Sequence, residues 1–276
     1  MSTPRFTAKI ETETPTPRLA VLIDADNAQA AIIENLLLEI ASLGEATVKR
    51  IYGDFTSPQS ASWKDVLQAF AIRPVQQFAY TKGKNATDCS LIIDAMDLLY
   101  TGTFDGFCLV SSDSDFTGLA VRLKEAGLKV YGFGEEKTPK AFRSACHKFT
   151  LTEILRPTYK ATDATIPDTQ IESAPNPVVS SREIPKDFLL VALAQLAGED
   201  GWLTLSEFGS YLNKIKSDFD ARSYGYKKLS DLVRGKKDLF DIEERPVAGS
   251  DQKIIGSSEK CVPGLMNGQD AQFEKL

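Results

Sequence analysis

The segment Leu19-Ala20-Val21-Leu22-Ile23-Asp24-Ala25-Asp26-Asn27 decides the fold. Its apolar run ends in Asp24 and reads as a short buried strand, with Ala25 to Asn27 as the turn that leaves it. Outward from this strand an alternation sets in. Residues 28–42 carry apolar side chains at helical spacing and stop at Gly44. Residues 46–52 read as a strand, 60–70 as a helix carrying Trp63, Val66 and Leu67, and 73–78 as a strand. Residues 86–100 form an apolar helix that Gly102 ends. Residues 106–110 are again a strand, 115–126 a helix ended by Gly127, and 128–133 a strand. A short helix over 139–145 and a last strand over 148–151 complete the series. Strands alternating with helices imply βαβ units, and so an α/β fold with a mostly parallel sheet and helices on both faces. Right-handed crossovers restrict its topology. Ligands of such sheets bind at the carboxyl ends of the strands, which makes strand-end residues the place to look for function.

This α/β unit spans residues 18–156. Residues 1–17 are polar and rich in Thr and Pro, and read as a disordered leader with no apolar signal-peptide core. Residues 157–184 are rich in Pro, Thr, Ser and Ala, and read as a linker. A second periodic region spans 185–255. Pro185 suits a helix N-terminus, and 188–196, 205–215 and 226–233 are helix candidates. Residues 202–205 suit a strand or turn. Residues 239–242 and 253–255 can pair as a small β-wing, so the region suits a compact winged-helix domain. Residues 256–276 read as a disordered tail.

Of 276 residues, 42% are hydrophobic and 25% charged, the balance of an ordinary globular protein. The 32 basic and 38 acidic residues leave a formal charge of -6. That argues against a general polybasic nucleic-acid binder, but not against an enzyme whose own site is acidic. No apolar run approaches the ~20 residues of a membrane span. The chain is therefore expected to be soluble and cytoplasmic, without membrane contact. Cys89, Cys108, Cys146 and Cys261 form no CxxC pair, and His147 is the only histidine. That spacing disfavours zinc, and buried reduced thiols are the expected role. No GxGxxG follows the first strand, which disfavours a nucleotide-binding dehydrogenase.

Asp24 closes the first strand, with Asp26 and Asn27 behind it. Asp113 and Asp115 lie in SSDSDF (111–116), after the strand over 106–110. If those strands are neighbours, both groups gather at one edge of the sheet. Asp88 sits in the first turn of the helix over 86–100, where it can cap and where the helix dipole favours its charge. Each residue alone reads equally well as a turn former or cap. Together they make a cluster whose repulsion is relieved by protonation or by a cation. Oxygen ligands without Cys or His favour Mg²⁺ or Mn²⁺. Such an ion polarises a phosphoryl oxygen and lowers the pKa of a water, which suits in-line attack on a phosphodiester. Asp94, further along the helix, reads as an outer ligand or a partner behind the ligands, and Asp97 as part of a solvated face. Lys82 and Lys84 flank Gly83, and either contact phosphate or solvate the loop. Asn85 caps the helix or holds substrate. Ser112 helps orient its loop, while Ser111 need do no more than make the turn.

The segments VLIDADN (21–27), KGKNATD (82–88) with the apolar stretch ending at Asp94, and SSDSDF (111–116) resemble the NYN domain. That family is PIN-like and includes the LabA-like bacterial proteins. The resemblance covers about residues 18–155 and implies a PIN-like fold with a metal-dependent ribonuclease site. By motif match it makes Asp24, Asp88, Asp113 and Asp115 metal ligands, with Asp24, Asp88 and Asp113 as the catalytic set. Asn27, Asp94 and Ser112 become supporting residues. Ser112 departs from the pattern, because Gly is common there. The loop over 82–87 is also longer than the usual form, so Lys84 aligns less closely than Asp88.

The segment RSYGYKKLSDLV (222–233) resembles the most recognisable helix of the OST-HTH, or LOTUS, domain, and 202–208 resembles the helix entry before it. That family implies binding of RNA or of a protein partner. Arg222, Lys227, Lys228, Arg234, Lys236 and Lys237 are a candidate basic face. Tyr224 and Tyr226 either stack on bases or pack their own small helix. The leading expectation is a ribonuclease whose C-terminal module recruits RNA or a partner, its tether raising the local substrate concentration. The second is a non-catalytic RNA-binding regulatory adaptor with the same acidic pocket. A haloacid-dehalogenase-type phosphatase, with Asp24 as nucleophile, is more distant. Asn27 stands where that family has Thr or Val, and no cap insertion is evident.

Overall fold

The first strand, β1 (Arg18–Asp24), is buried from Leu19 onward, and its side chains divide by parity between two cores. The computed structural model describes residues 15–56, 61–78, 86–156, 183–196, 202–247 and 250–257. Leu19, Val21 and Ile23 pack with Ile33, Leu36 and Ile40 of α1 (Ile33–Ala41) and with Trp63 of α2 (Ala61–Ala69). On the other face, Ala20 and Leu22 meet Leu91, Ala95 and Leu98 of α3 (Ala86–Tyr100). Leu119, Ala120 and Leu123 of α4 (Thr117–Glu125) share that core. A strand with apolar neighbours on both faces has no polar side to show, which is why its sequence is an unbroken apolar run.

The other strands of this sheet are β2 (Glu45–Gly53), β3 (Arg73–Gln76), β4 (Gly106–Val110), β5 (Lys129–Gly134) and β6 (Lys148–Leu151). A further short helix, α5 (Lys140–Ala145), leads into β6. The six strands are ordered β3-β2-β1-β4-β5-β6, and every pairing is parallel. The chain moves outward from β1 through β2 to β3, then crosses back to β4 and continues the other way. The order therefore reverses between β1 and β4, the position beside whose carboxyl ends the ligands of such sheets bind. Ile23 is level with Val110, so Asp24 and Ser111 leave the sheet side by side.

The second domain comprises α6 (Lys186–Leu196), β7 (Trp202–Thr204), α7 (Leu205–Ile215), α8 (Leu229–Gly235), β8 (Phe240–Val247) and β9 (Ser250–Ser257). Its strands form an antiparallel sheet of order β7-β9-β8. Leu193, Phe208, Leu212, Tyr224, Leu232, Phe240 and Ile255 form its core. Thr204 caps α7, and Glu207 returns the bond to the Thr204 backbone, a capping box that fixes where the helix starts. Helices with a β-wing are consistent with a winged helix.

Three helices begin two or more residues later than expected. The helix read over 28–42 opens with a 3-10 turn, Ala30–Ile32, and the one read over 115–126 opens with another, Ser114–Phe116. The helix read over 226–233 begins only at Leu229. Gly225 adopts φ 83°, which closes the 3-10 turn Ala221–Tyr224, and Lys228 is extended before the helix starts. Cys108 and Cys146 are buried as reduced thiols, but Cys89 is exposed on α3. The segments read as leader, linker and tail fall almost wholly outside the described residues, as do Lys82, Lys84, Asn85 and Cys261. Among the described residues no helix is long and apolar enough to cross a membrane.

Candidate metal centre

Asp24 is completely buried at the end of β1, and its carboxylate is bonded on both oxygens. Oδ1 accepts the backbone N–H of Asp26 at 3.0 Å. Oδ2 accepts the side-chain amide of Asn27 at 2.8 Å and the hydroxyl of Ser111 at 2.7 Å. Burial pushes the Asp24 carboxyl above its ordinary range, against the lowering effect of those bonds. Ser111 is itself buried, and its Oγ also accepts the Asp113 N–H at 3.0 Å. One hydroxyl thus joins the β1 turn to the β4 turn, a part that the sequence did not reveal. Asn27 holds Asp24, and Ser112 Oγ accepts the Glu135 N–H at 2.9 Å, tying the loop after β4 to the one after β5. Gly134 makes room for this: a Cβ there would lie 2.5 Å from the Ser111 carbonyl oxygen.

Above this floor, Asp88, Asp113 and Asp115 converge. Each offers a carboxylate oxygen, and the three atoms lie within 4.8 Å of one another. Asp88 comes from the first turn of α3. Asp113 caps the 3-10 turn Ser114–Phe116, its Oδ1 accepting the Asp115 N–H at 2.9 Å. Phe116, 1% exposed, anchors that turn in the core. Asp24 is not one of the converging three, but its charge is felt. Burial pushes the Asp88 carboxyl up to about 6, and the charges of Asp24, Asp113, Asp115 and Asp26 add to the shift. The shift marks a concentration of negative charge that a cation would relieve.

Asp94 lies apart from this cluster. Its carboxylate accepts bonds from the Arg50 guanidinium and the Tyr52 hydroxyl, which binds α3 to β2. Tyr52 is wholly buried, and burial together with the Asp94 charge keeps its phenol protonated. Asp94 thus ties to β2 the helix that also carries Asp88. Asp97 lines a cleft of about 540 Å³ beside α3, together with Arg50, Arg73, Gln77 and Ser90.

In the second domain the candidate RNA contacts separate. Arg222 donates to both oxygens of Glu39, at 2.9 and 3.0 Å, and to Asp220. Tyr224 is 7% exposed and its ring lies 5.7 Å from that of Phe219, so it packs the core and offers no face to a base. Tyr226 is half-buried against the same core. Lys227, Lys228 and Lys237 are exposed. The phosphatase reading would need Asp24 to reach a substrate as nucleophile, and its burial and bonding leave it no approach.

Comparison with known proteins agrees with this division. Residues 18–153 match the NYN domain and residues 181–250 match the OST-HTH/LOTUS domain. No curated protein matches the chain. Among solved structures, an uncharacterised protein of Nitrosomonas europaea is 36% identical, over 41% of this chain and 100% of that one, with a TM-score of 0.27. A Vibrio parahaemolyticus protein of unknown function is 19% identical, over 49% of this chain and 91% of that one, with a TM-score of 0.41. A Chromobacterium violaceum protein is 24% identical, over 33% and 97%, with a TM-score of 0.25. The NYN family is a PIN-like nuclease domain, and an OST-HTH domain suggests nucleic-acid binding. The chain is a NYN-domain protein, in which the NYN domain (18–153) is followed by an OST-HTH/LOTUS domain (181–250).

Proposed function

We propose that this protein is a metal-dependent ribonuclease, with Asp88, Asp113 and Asp115 holding Mg²⁺ or Mn²⁺ and Asp24 completing the catalytic set from beneath. The observation that carries the reading is the convergence of those three carboxylates within 4.8 Å at the strand-order reversal. The donor set fits a hard cation, being all oxygen with no Cys or His among the converging atoms. When bound, the ion would supply Lewis-acid chemistry to a phosphodiester and would lower the pKa of a water so that it could attack as hydroxide. The chain's own residues provide the placement. Asn27, the Asp26 N–H and Ser111 fix Asp24, and Ser111 carries that order across to Asp113. Asp94, Arg50 and Tyr52 hold α3, and with it Asp88, at a set height over the sheet. The OST-HTH domain recruits RNA or a protein partner, with Lys227, Lys228 and Lys237 among its exposed cations.

The test is cleavage of labelled single-stranded and structured RNAs by the full chain, with Mn²⁺ and with EDTA. Metal-dependent cleavage that Asp113→Asn abolishes, with the fold intact, supports the reading. RNA binding without turnover under any divalent ion would favour the adaptor.

A further inference from the structure

The sequence portrays the OST-HTH domain as a module on a flexible tether, yet the two domains touch through a set of specific bonds. β6 is the edge strand of the large sheet, and an edge N–H needs a partner. The Phe149 N–H donates to the Ser217 carbonyl oxygen at 2.7 Å, from the loop after α7. The Ser217 hydroxyl returns a bond to the Arg143 carbonyl oxygen at 2.5 Å, and the Arg143 guanidinium donates to Asp218 at 2.7 Å. Across the edge, Arg222 grips both oxygens of Glu39 in α1, and Lys148 Nζ donates to the same carboxylate at 3.0 Å.

These charges are sheltered. The carboxylate side chains of Glu39, Asp218 and Asp220 are 13%, 15% and 12% exposed. Burial alone would raise the Glu39 carboxyl, but Arg222 and Lys148 more than reverse it and hold it below its ordinary range. Sheltered, bidentate pairs with backbone bonds beside them mark a built interface, unlike isolated surface ion pairs. We propose that the OST-HTH domain docks on the β6 edge of its own NYN domain as one body, with Arg222 as the docking residue that clamps Glu39. The clamp and the carboxylate centre share no residue. The docked edge is three strands from β1, roughly 14 Å at ordinary strand spacing.

The test is hydrogen exchange on the full chain at the Phe149 amide, read with small-angle scattering and sedimentation. Docking predicts a compact monomer with a protected Phe149 amide. Arg222→Met and Glu39→Gln should each speed exchange at Phe149 by about 30-fold or more, because either removes the bidentate charge-assisted contact between the domains. The double variant should do no more than either alone, since the two residues act as one contact. Arg143→Met at the Asp218 contact gives an independent break with the same readout. Protection at Leu22 and Leu212, inside the separate domains, reports that each still folds. Unchanged Phe149 exchange in all the single variants, an extended wild type, or a wild type that sediments as a dimer would overturn the proposal.

Discussion

Acidifying the solution should loosen metal binding through Asp88. Its carboxyl has been pushed up to about 6 from an ordinary 3.8 by burial and by the surrounding carboxylates. An ion at this site needs Asp88 ionised, so a proton competes with the metal below about pH 6. For a pKa near 6, apparent affinity should fall on the order of tenfold between pH 7 and pH 5, and binding at pH 5 should release about 0.9 proton against about 0.1 at pH 7. Calorimetric titration of Mn²⁺ in buffers of different ionisation enthalpy measures both quantities. The sign for the metal-free protein runs the opposite way. A folded-state pKa above the unfolded value contributes stability that is fully present below about 3.8 and is lost as pH rises through about 6. Metal-free protein should therefore lose stability across that window, while saturating Mn²⁺ should reverse the trend. Asp88→Asn should flatten the thermal-stability profile over the same range. Affinity that stays constant from pH 5 to pH 7, with no proton release, would refute the placement of Asp88 in the site.

Other substitutions probe the supports. Asp94→Ala removes the acceptor of the buried Tyr52 hydroxyl, and should lower stability by about 1–3 kcal/mol in urea unfolding. Phe116→Ala opens the core beneath the Asp115 turn and should cost about 3–5 kcal/mol in the same measurement. Gly134→Ala drives a methyl toward the Ser111 carbonyl oxygen, and should cost about 1–3 kcal/mol and weaken Mn²⁺ binding, read by thermal unfolding and titration. Thr204→Ala removes the α7 cap and should cost the OST-HTH domain about 1 kcal/mol, visible as faster amide exchange in α7 alone.

The parts of the fold that follow from local chemistry could be read in the sequence. The apolar run of β1 and the helical spacing around Leu91 and Leu119 gave the layers, and the strand ends gave the position of Asp24 and Asp113. What escaped depends on partners remote in sequence. Ser111 looked like a turn former because its acceptor, Asp24, is 87 positions away. Asp94 read as an outer ligand or a partner behind the ligands because it follows an apolar stretch beside Asp88, whereas its bond to Arg50 spans 44 positions. Arg222 looked like an RNA contact because it stands among lysines, and its partner Glu39 lies 183 positions earlier. Tyr224 shows the related case of an aromatic whose burial depends on how the second core closes around it. Charge and residue type were visible in each case, but the direction in which each side chain is used was set by the tertiary fold.

The central claim is that the converging carboxylates hold an ion that cuts RNA. Single-turnover cleavage of a labelled RNA by the full chain in Mn²⁺, compared with Asp113→Asn at equal folding and equal RNA binding, tests it most directly. The account predicts cleavage by the wild type, none in EDTA, and a loss of at least ~100-fold in Asp113→Asn, the scale expected when a group central to the reaction is removed. Cleavage at the wild-type rate by Asp113→Asn, or in EDTA, would contradict it.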